Sequence, residues 1–243
     1  MEERKLREED LRKAIMEAWS KRLRLSPNVF VSKTEQLIPD ENKRKKGEIS
    51  HLSFEKHTVV LYDPELERIM NSALREDETL ETSLFNLLRE SFSLSKKTSI
   101  KYLNPSNYVP FDPAVEFAVR RINQGDRTAF YHFRNQCTRE DLAEGFVELN
   151  HVAVFGAFYG EEIVAVSSII EWGDIADIGI ITMPDFRELG LGKALGSRAS
   201  EWGIINKKLI QYRHDVLNYG SLKVSRALGF KEYIVEEDFK YIG

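Results

Sequence analysis

From Ile178 to Gly196 the chain reads Ile-Gly-Ile-Ile-Thr-Met-Pro-Asp-Phe-Arg-Glu-Leu-Gly-Leu-Gly-Lys-Ala-Leu-Gly, a β-rich run that passes through a glycine turn into a helix-forming one. Gly190 and Gly192 let successive backbone amides approach a bound group closely. The helix N-terminus beyond them adds unpaired N–H groups and a partial positive charge. Leu189, Gly190, Leu191, Gly192, Lys193 and Ala194, led by Arg187 and Glu188, therefore form a cradle for a phosphate or pyrophosphate. A dinucleotide fingerprint would place a third glycine where Leu195 stands, and a P-loop would place Ser or Thr where Ala194 stands. Both patterns fail, which leaves Arg187-x-x-Gly190-x-Gly192.

Downstream, a helical run from Gly192 to about Asn206 is followed by a strand-like run, Leu209 to Asp215, and then by Asn218-Tyr219-Gly220-Ser221 and Leu228-Gly229-Phe230. Strand, glycine turn, helix, strand, Asn-led helix and Gly-Phe in this order resemble the GNAT superfamily of acyl-CoA-dependent N-acetyltransferases, over about residues 126 to 236. Phe155-Gly156, Ile180-x-Thr182, Phe186-Arg187 and Asn218-x-x-Ser221 look most like two of its branches, the zwittermicin-resistance type and the glycine N-acyltransferase-like proteins. Both place a poorly matching N-terminal region, often a degenerate half of the same fold, before the active domain.

The resemblance implies a mixed α/β sheet with two splayed central strands, here Ile175 to Thr182 and Leu209 to Asp215, with acetyl-CoA as co-substrate between them. The pyrophosphate would meet amides from Leu189 to Ala194, with Arg187 and Lys193 adding charge. Pantetheine would lie beside Ile180, Ile181 and Thr182, whose amides would also polarise the thioester carbonyl. Asn218 and Ser221 would hold the cofactor from the second strand's side.

Acyl transfer to nitrogen needs a neutral amine, so a base must take its proton. Asp177 leads the candidates because many family members carry an acid near this point of the strand, and Glu171, Glu148, His214 and Asp215 stand behind it. Many family members carry a tyrosine as general acid seven residues after the asparagine, where this chain has Ser225. Tyr219 or Tyr212 would have to substitute, or the thiolate would leave with solvent's help. A non-catalytic acyl-CoA-binding regulatory module is the alternative to an enzyme. The acceptor is expected to be a small-molecule or peptide amine.

The elements that must position these residues follow from periodicity. Leu11, Ala14, Ile15, Ala18, Trp19 and Leu23 line one face of a helix between Leu6 and Leu25, ended by Pro27. Val29 to Val31 reads as extended, Lys43-Arg44-Lys45-Lys46-Gly47 as a solvated loop, and Thr58 to Tyr62 as a strand closed by Asp63-Pro64. Helices are predicted over Leu66 to Leu74 and Leu80 to Phe92, then a strand over Ile100 to Leu103. Pro105, Pro110 and Pro113 mark a boundary near residue 104. The expected organisation is an α/β N-terminal domain, 1–104, that helps shape the acceptor pocket, and a GNAT domain, 105–243.

Beyond the boundary, helices are predicted over Ala114 to Arg121 and from Asp126 to Cys137, with Thr138 capping a short one. Strands follow over Val152 to Tyr159, Glu162 to Ile170 and Ile175 to Thr182, with Trp172-Gly173 at a hairpin or edge.

The 243 residues carry 35 basic and 39 acidic side chains, a net charge of −4, which argues against a nucleic-acid-binding body. The longest apolar run, Val152 to Phe158, is far short of the roughly 20 residues of a membrane span. Met1-Glu2-Glu3-Arg4-Lys5 opens on acid, so neither a secretory signal nor a transit peptide is read and a cytoplasmic location is expected. Cys137, the one cysteine, excludes an internal disulfide and reads as filler. The five histidines lack ligand spacing, so no metal is expected. A monomer or homodimer is expected.

Overall fold

A computed structural model describes residues 7–26, 30, 35–73 and 80–242. Residues 1–6, Pro27, Val29, Val31 and Leu74 lie outside the described residues. The protein is mixed α/β and forms two compact units, residues 1–24 with 101–231, and residues 25–100 with 232–243. These units interleave in sequence, whereas the prolines suggest one cut near residue 104 between consecutive domains. Among the described residues no helix is long and apolar enough to cross a membrane.

In the first unit, β5 (Phe117–Arg121), β6 (Ala153–Tyr159), β7 (Glu162–Trp172) and β8 (Ile175–Thr182) are successive antiparallel neighbours. β9 (Leu209–Asp215) joins β8 in parallel, and the Lys101–Leu103 end of β4 (Phe92–Leu103) lies beyond it. The two predicted strands that matter most, β8 and β9, have the expected bounds. Within Ala114 to Arg121, predicted helical, residues 117–121 instead form the short edge strand β5. Its five residues carry a single inward aromatic, Phe117, and find hydrogen-bond partners in β6 rather than in a helical turn.

The connections supply helices to both faces. On one, α6 (Leu191–Ile205) and α7 (Tyr219–Ala227) accompany a core of Ile169, Ala176, Ile178, Ala199, Ile210 and Tyr212. On the other, α4 (Arg127–Gln136) and α5 (Arg139–Gly145) pack Phe130, Phe133 and Val147 over Val166 and Ile181. Alternation along β8 sends Ile178 and Ile181 to opposite faces. Thr138 caps α5 as expected, its Oγ1 accepting from the Asp141 amide at 3.0 Å. Cys137 is half-buried, its thiol donating to the Phe133 carbonyl, and burial pushes it above the ordinary thiol range.

α1 (Glu8–Arg22) folds with this unit. Its predicted stripe buries Leu11, Ile15, Ala18 and Trp19. The Trp19 indole N–H donates to the Tyr102 hydroxyl at 2.8 Å, Tyr102 donates to Gln211 on β9, and Trp19 meets Trp172 edge-on at 5.6 Å.

The second unit has strand order β1 (Glu35–Pro39), β3 (Thr58–Tyr62), β2 (Glu48–Phe54), β10 (Lys231–Tyr241) and the Phe92–Ile100 part of β4, with α2 (Glu67–Ala73) and α3 (Leu80–Ser91). The basic run is the exposed turn expected of it, anchored at its end by Asp63. Asp63 accepts the Lys46 and Gly47 amides at 2.8 Å, and Arg44 pairs with Glu41. Burial pushes the Asp63 carboxyl up, but bonds from the Glu65, Gly47, Lys46 and Lys45 amides outweigh it and hold it below its usual range.

Trp19→Ala empties a large buried volume and strips the Tyr102 hydroxyl of a donor. A loss of about 3–5 kcal/mol in urea unfolding is expected, while Trp19→Phe, which keeps ring area but not the N–H, loses about 1–2 kcal/mol. A loss under about 1 kcal/mol for Trp19→Ala would remove α1 from this core.

Candidate functional site

β8 and β9 pair in parallel only over Ile175↔Leu209 to Ile178↔Tyr212. Both strands run on, to Thr182 and Asp215, without further pairing to each other, while β8 keeps its ladder with β7 as far as Ala165↔Thr182. Gly179 to Thr182 thus present an edge whose alternate residues aim N–H and C=O groups at the opening, the surface on which an extended ligand adds as a strand.

The last residue of α5 sits at the start of this fork. A Cβ on Gly179 would lie 1.9 Å from the Gly145 carbonyl oxygen, so only glycine lets the helix end approach the strand. The next residue, Phe146, turns the chain away with φ 41°.

At the open end the chain leaves β8 through a 3₁₀ turn, Pro184–Phe186, and enters α6 through Gly190, whose φ of +81° is left-handed. Glu188 is also left-handed, at φ 64°. Ala194 makes the first full helical bond, its amide donating to the Gly190 carbonyl at 3.0 Å. Of the expected cradle from Leu189 to Ala194, Ala194 is buried and its amide is spent on the helix, whereas the amides of Leu191, Gly192 and Lys193 precede the first full helical bond. The Lys193 ammonium stands 5.3 Å from the Phe111 ring centre. Arg187 is engaged elsewhere. Its guanidinium donates to both Asp141 oxygens, at 2.9 and 3.0 Å, and its Nε to the Thr182 carbonyl at 3.2 Å.

On the other side of the fork Asn218 caps α7. Its Oδ1 accepts from the Ser221 amide at 3.0 Å and its Nδ2 donates to Glu144 of α5 at 3.2 Å. Burial pushes the Tyr212 phenol up to about 12, more than the neighbouring Ser221 side chain lowers it, so it stays protonated.

Ser225 does not take the place of an acid. It is fully buried, and its hydroxyl donates to the Leu222 carbonyl one turn back at 3.0 Å. Tyr219, at the first turn of α7, is 68% exposed.

Asp177 lies beside Gln211 across the β8–β9 ladder and Ile170 across β7–β8, two residues before the fork, with one carboxylate oxygen buried. Its charge reaches the Tyr102 phenol, which burial in the first place and then Asp177 push upward. The other acids named from sequence have structural partners. Glu171 pairs with Lys208 at 3.0 Å, Glu148 with Arg134, and Asp215 accepts from the Leu217 amide. His214 is buried, its Nδ1 at 2.8 Å from the Asp215 carbonyl.

His151 carries no signal of a site role in the sequence. It follows α5, contacts the Phe146 ring at 5.4 Å, and places Nδ1 2.8 Å from the hydroxyl of Ser168, the residue opposite Gly179 on β7. It thus shares the α5 face of the sheet with Asp177 and Gly179. Burial lowers its pKa more than the Glu148 charge raises it, so the imidazole is neutral at pH 7. No spacing rule connects residues 151, 168 and 179; only the register does. Among the described residues no group of three or more His, Cys, Asp or Glu side chains is arranged to hold a metal ion.

No protein-family model and no curated protein sequence matches the chain. Solved structures do match in fold. A GCN5-related N-acetyltransferase from Kribbella flavida aligns at TM-score 0.51 and 12% identity, over 66% of this chain and 63% of that one. An acetyltransferase of the GNAT family from Colwellia psychrerythraea aligns at 0.53 and 13%, over 75% and 76%. A GCN5-related N-acetyltransferase from Sphaerobacter thermophilus aligns at 0.52 and 13%, over 69% and 58%. The chain therefore has the fold of these acetyltransferases, and spans less than two thirds of the Kribbella and Sphaerobacter proteins.

The lowered pKa of His151 has a measurable sign. The unfolded chain, with an imidazole pKa of 6.5, binds the proton at higher pH than the folded one. The stabilisation is complete above about pH 7 and is lost as pH falls through the unfolded value toward the folded one. His151→Asn should flatten the fall in unfolding free energy between about pH 7 and 5; an unchanged slope would show that the imidazole is not held neutral.

Proposed function

We propose that the first unit is an N-acyltransferase that passes an acyl group, in the simplest case acetyl, from acyl-CoA to the primary amine of a small molecule or peptide. One observation carries this reading: two parallel strands stop pairing after Ile178↔Tyr212 yet run on, with a glycine turn and a 15-residue helix starting at their open end. An extended thiol arm fits the unpaired edge of Gly179 to Thr182, and a pyrophosphate suits the orphan amides and partial positive charge at Leu191 to Lys193. The finer resemblance to the zwittermicin-resistance and glycine N-acyltransferase-like branches belongs to the same proposal.

In this reading the acceptor enters on the face of β8 that carries Asp177, Gly179 and the Ser168–His151 pair. The amine nitrogen attacks the thioester carbonyl carbon, and Ile180 to Thr182 amides bind the oxyanion that forms. The C–S bond then breaks, leaving amide and CoA thiolate. The amine's proton passes to Asp177 or to the neutral imidazole of His151. The thiolate, with a pKa near 8.5, leaves as such or takes a proton from water or the Tyr212 phenol.

A second reading, an acyl-CoA-binding module without catalysis, is favoured by the burial of Ser225, which withdraws the hydroxyl nearest to the expected acid. Thiol release measured over a panel of primary amines separates the two: binding without release on any amine supports the module. For binding itself, Lys193→Glu is a cleaner probe than a change at Gly190, whose φ of +81° and nearness to Phe111 would strain any side chain. Acetyl-CoA should raise the unfolding temperature of the wild type, and Lys193→Glu should weaken binding about tenfold, or about 1.4 kcal/mol. Equal affinity in the two proteins would move the phosphate site away from this turn.

A further inference from the structure

We infer that Asp141 and Glu144 of α5 set the cofactor affinity of this site by holding, in its absence, the two side chains that the cofactor would otherwise engage. The inference rests on the acyl-CoA reading above.

Of the polar groups assigned to cofactor from sequence, Arg187 and Asn218 stand on opposite sides of the fork, one after β8 and one after β9. Each is bonded to the same seven-residue helix. Arg187 grips both oxygens of Asp141 at 2.9 and 3.0 Å, and Asn218 Nδ2 reaches Glu144 at 3.2 Å. Asp141 and Glu144 lie three residues apart, one on each side of a helical turn, so they share a face. α5 thereby spans the fork from one branch to the other.

The chemistry of the two contacts mirrors that of the ligand. Both Asp141 oxygens take the one Nη2 nitrogen of Arg187, a donor that a phosphate oxygen can take in their place. The Asn218 amide N–H that donates to Glu144 can donate equally to an amide carbonyl of the kind pantetheine carries. Both contacts are partly exposed, Arg187 at 50% and Asp141 at 28% of the side chain, so a polyanion arriving in solvent can exchange for the carboxylate at modest cost. Two carboxylates beside a phosphate cradle also repel the phosphates directly, and removing their charge favours the anion.

The exchange has a structural consequence. α5 ends on Gly145, whose carbonyl abuts Gly179, and leads through Phe146 to His151. Release of Asp141 and Glu144 frees the helix that borders Asp177 and His151. The asymmetry also separates Arg187 from a plain brace: a brace would tighten α5 when ligand binds, and a shared side chain loosens it.

The test uses the full chain and CoA alone. Calorimetry on wild type, Asp141→Asn and Glu144→Gln should give about three- to tenfold tighter CoA binding in each variant, and in an Arg187→Ala background the gain from Asp141→Asn should shrink to the smaller part due to direct repulsion. In the unaltered protein, hydrogen exchange at the Leu142 to Phe146 amides should become faster on CoA binding. Equal or weaker binding in the carboxamide variants, or slower exchange in α5, overturns the inference. Wild-type protein that binds no CoA overturns instead the acyl-CoA reading on which it rests.

Discussion

The contact between the Gly145 carbonyl and Gly179 is the constraint from which the site is built. A side chain at position 179 would overlap that oxygen, so the strand can carry the helix end against it only as glycine. Seated there, α5 lies at the last paired residues of β8 and β9, and its two carboxylates reach the turn after one strand and the helix cap after the other. His151, a few residues on, is brought to Ser168 opposite the same glycine. The fork, the turn after β8, the Asn218 cap and the His151–Ser168 pair therefore meet around one helix.

Charge follows the same economy of placement. With 35 basic and 39 acidic residues the chain has no general attraction for anions. Arg187 is balanced by Asp141, and what remains uncompensated at the turn is the start of α6 with Lys193. An anion there is met by oriented backbone amides rather than by a basic surface, which confers selectivity for a group small enough to enter a glycine turn.

β8, β9 and β3 could be read to the residue because β-branched runs are bounded by glycine, proline or polar turns, and Gly190 and Gly192 announce a turn that few other residues could make. β5 was misread because a single buried aromatic in five residues carries no period that separates strand from helix. Side-chain direction was harder still. Ser225 stands at the spacing the family resemblance implies, but whether a hydroxyl meets a ligand or its own helix depends on packing that spacing does not encode. His151 needed the β7–β8 register to be seen beside the fork, and α1 needed Tyr102 and Gln211 to be seen as part of the first unit.

The central claim is that the unpaired edge of β8 and the start of α6 together bind acyl-CoA. Backbone amide NMR of the labelled protein titrated with CoA tests it most directly. The fork predicts saturable shifts concentrated at Ile180 to Thr182 and Leu191 to Lys193, with slowed exchange of the β8 amides that aim at the opening. Saturable binding with those amides unmoved, and shifts confined to another part of the chain, would contradict it.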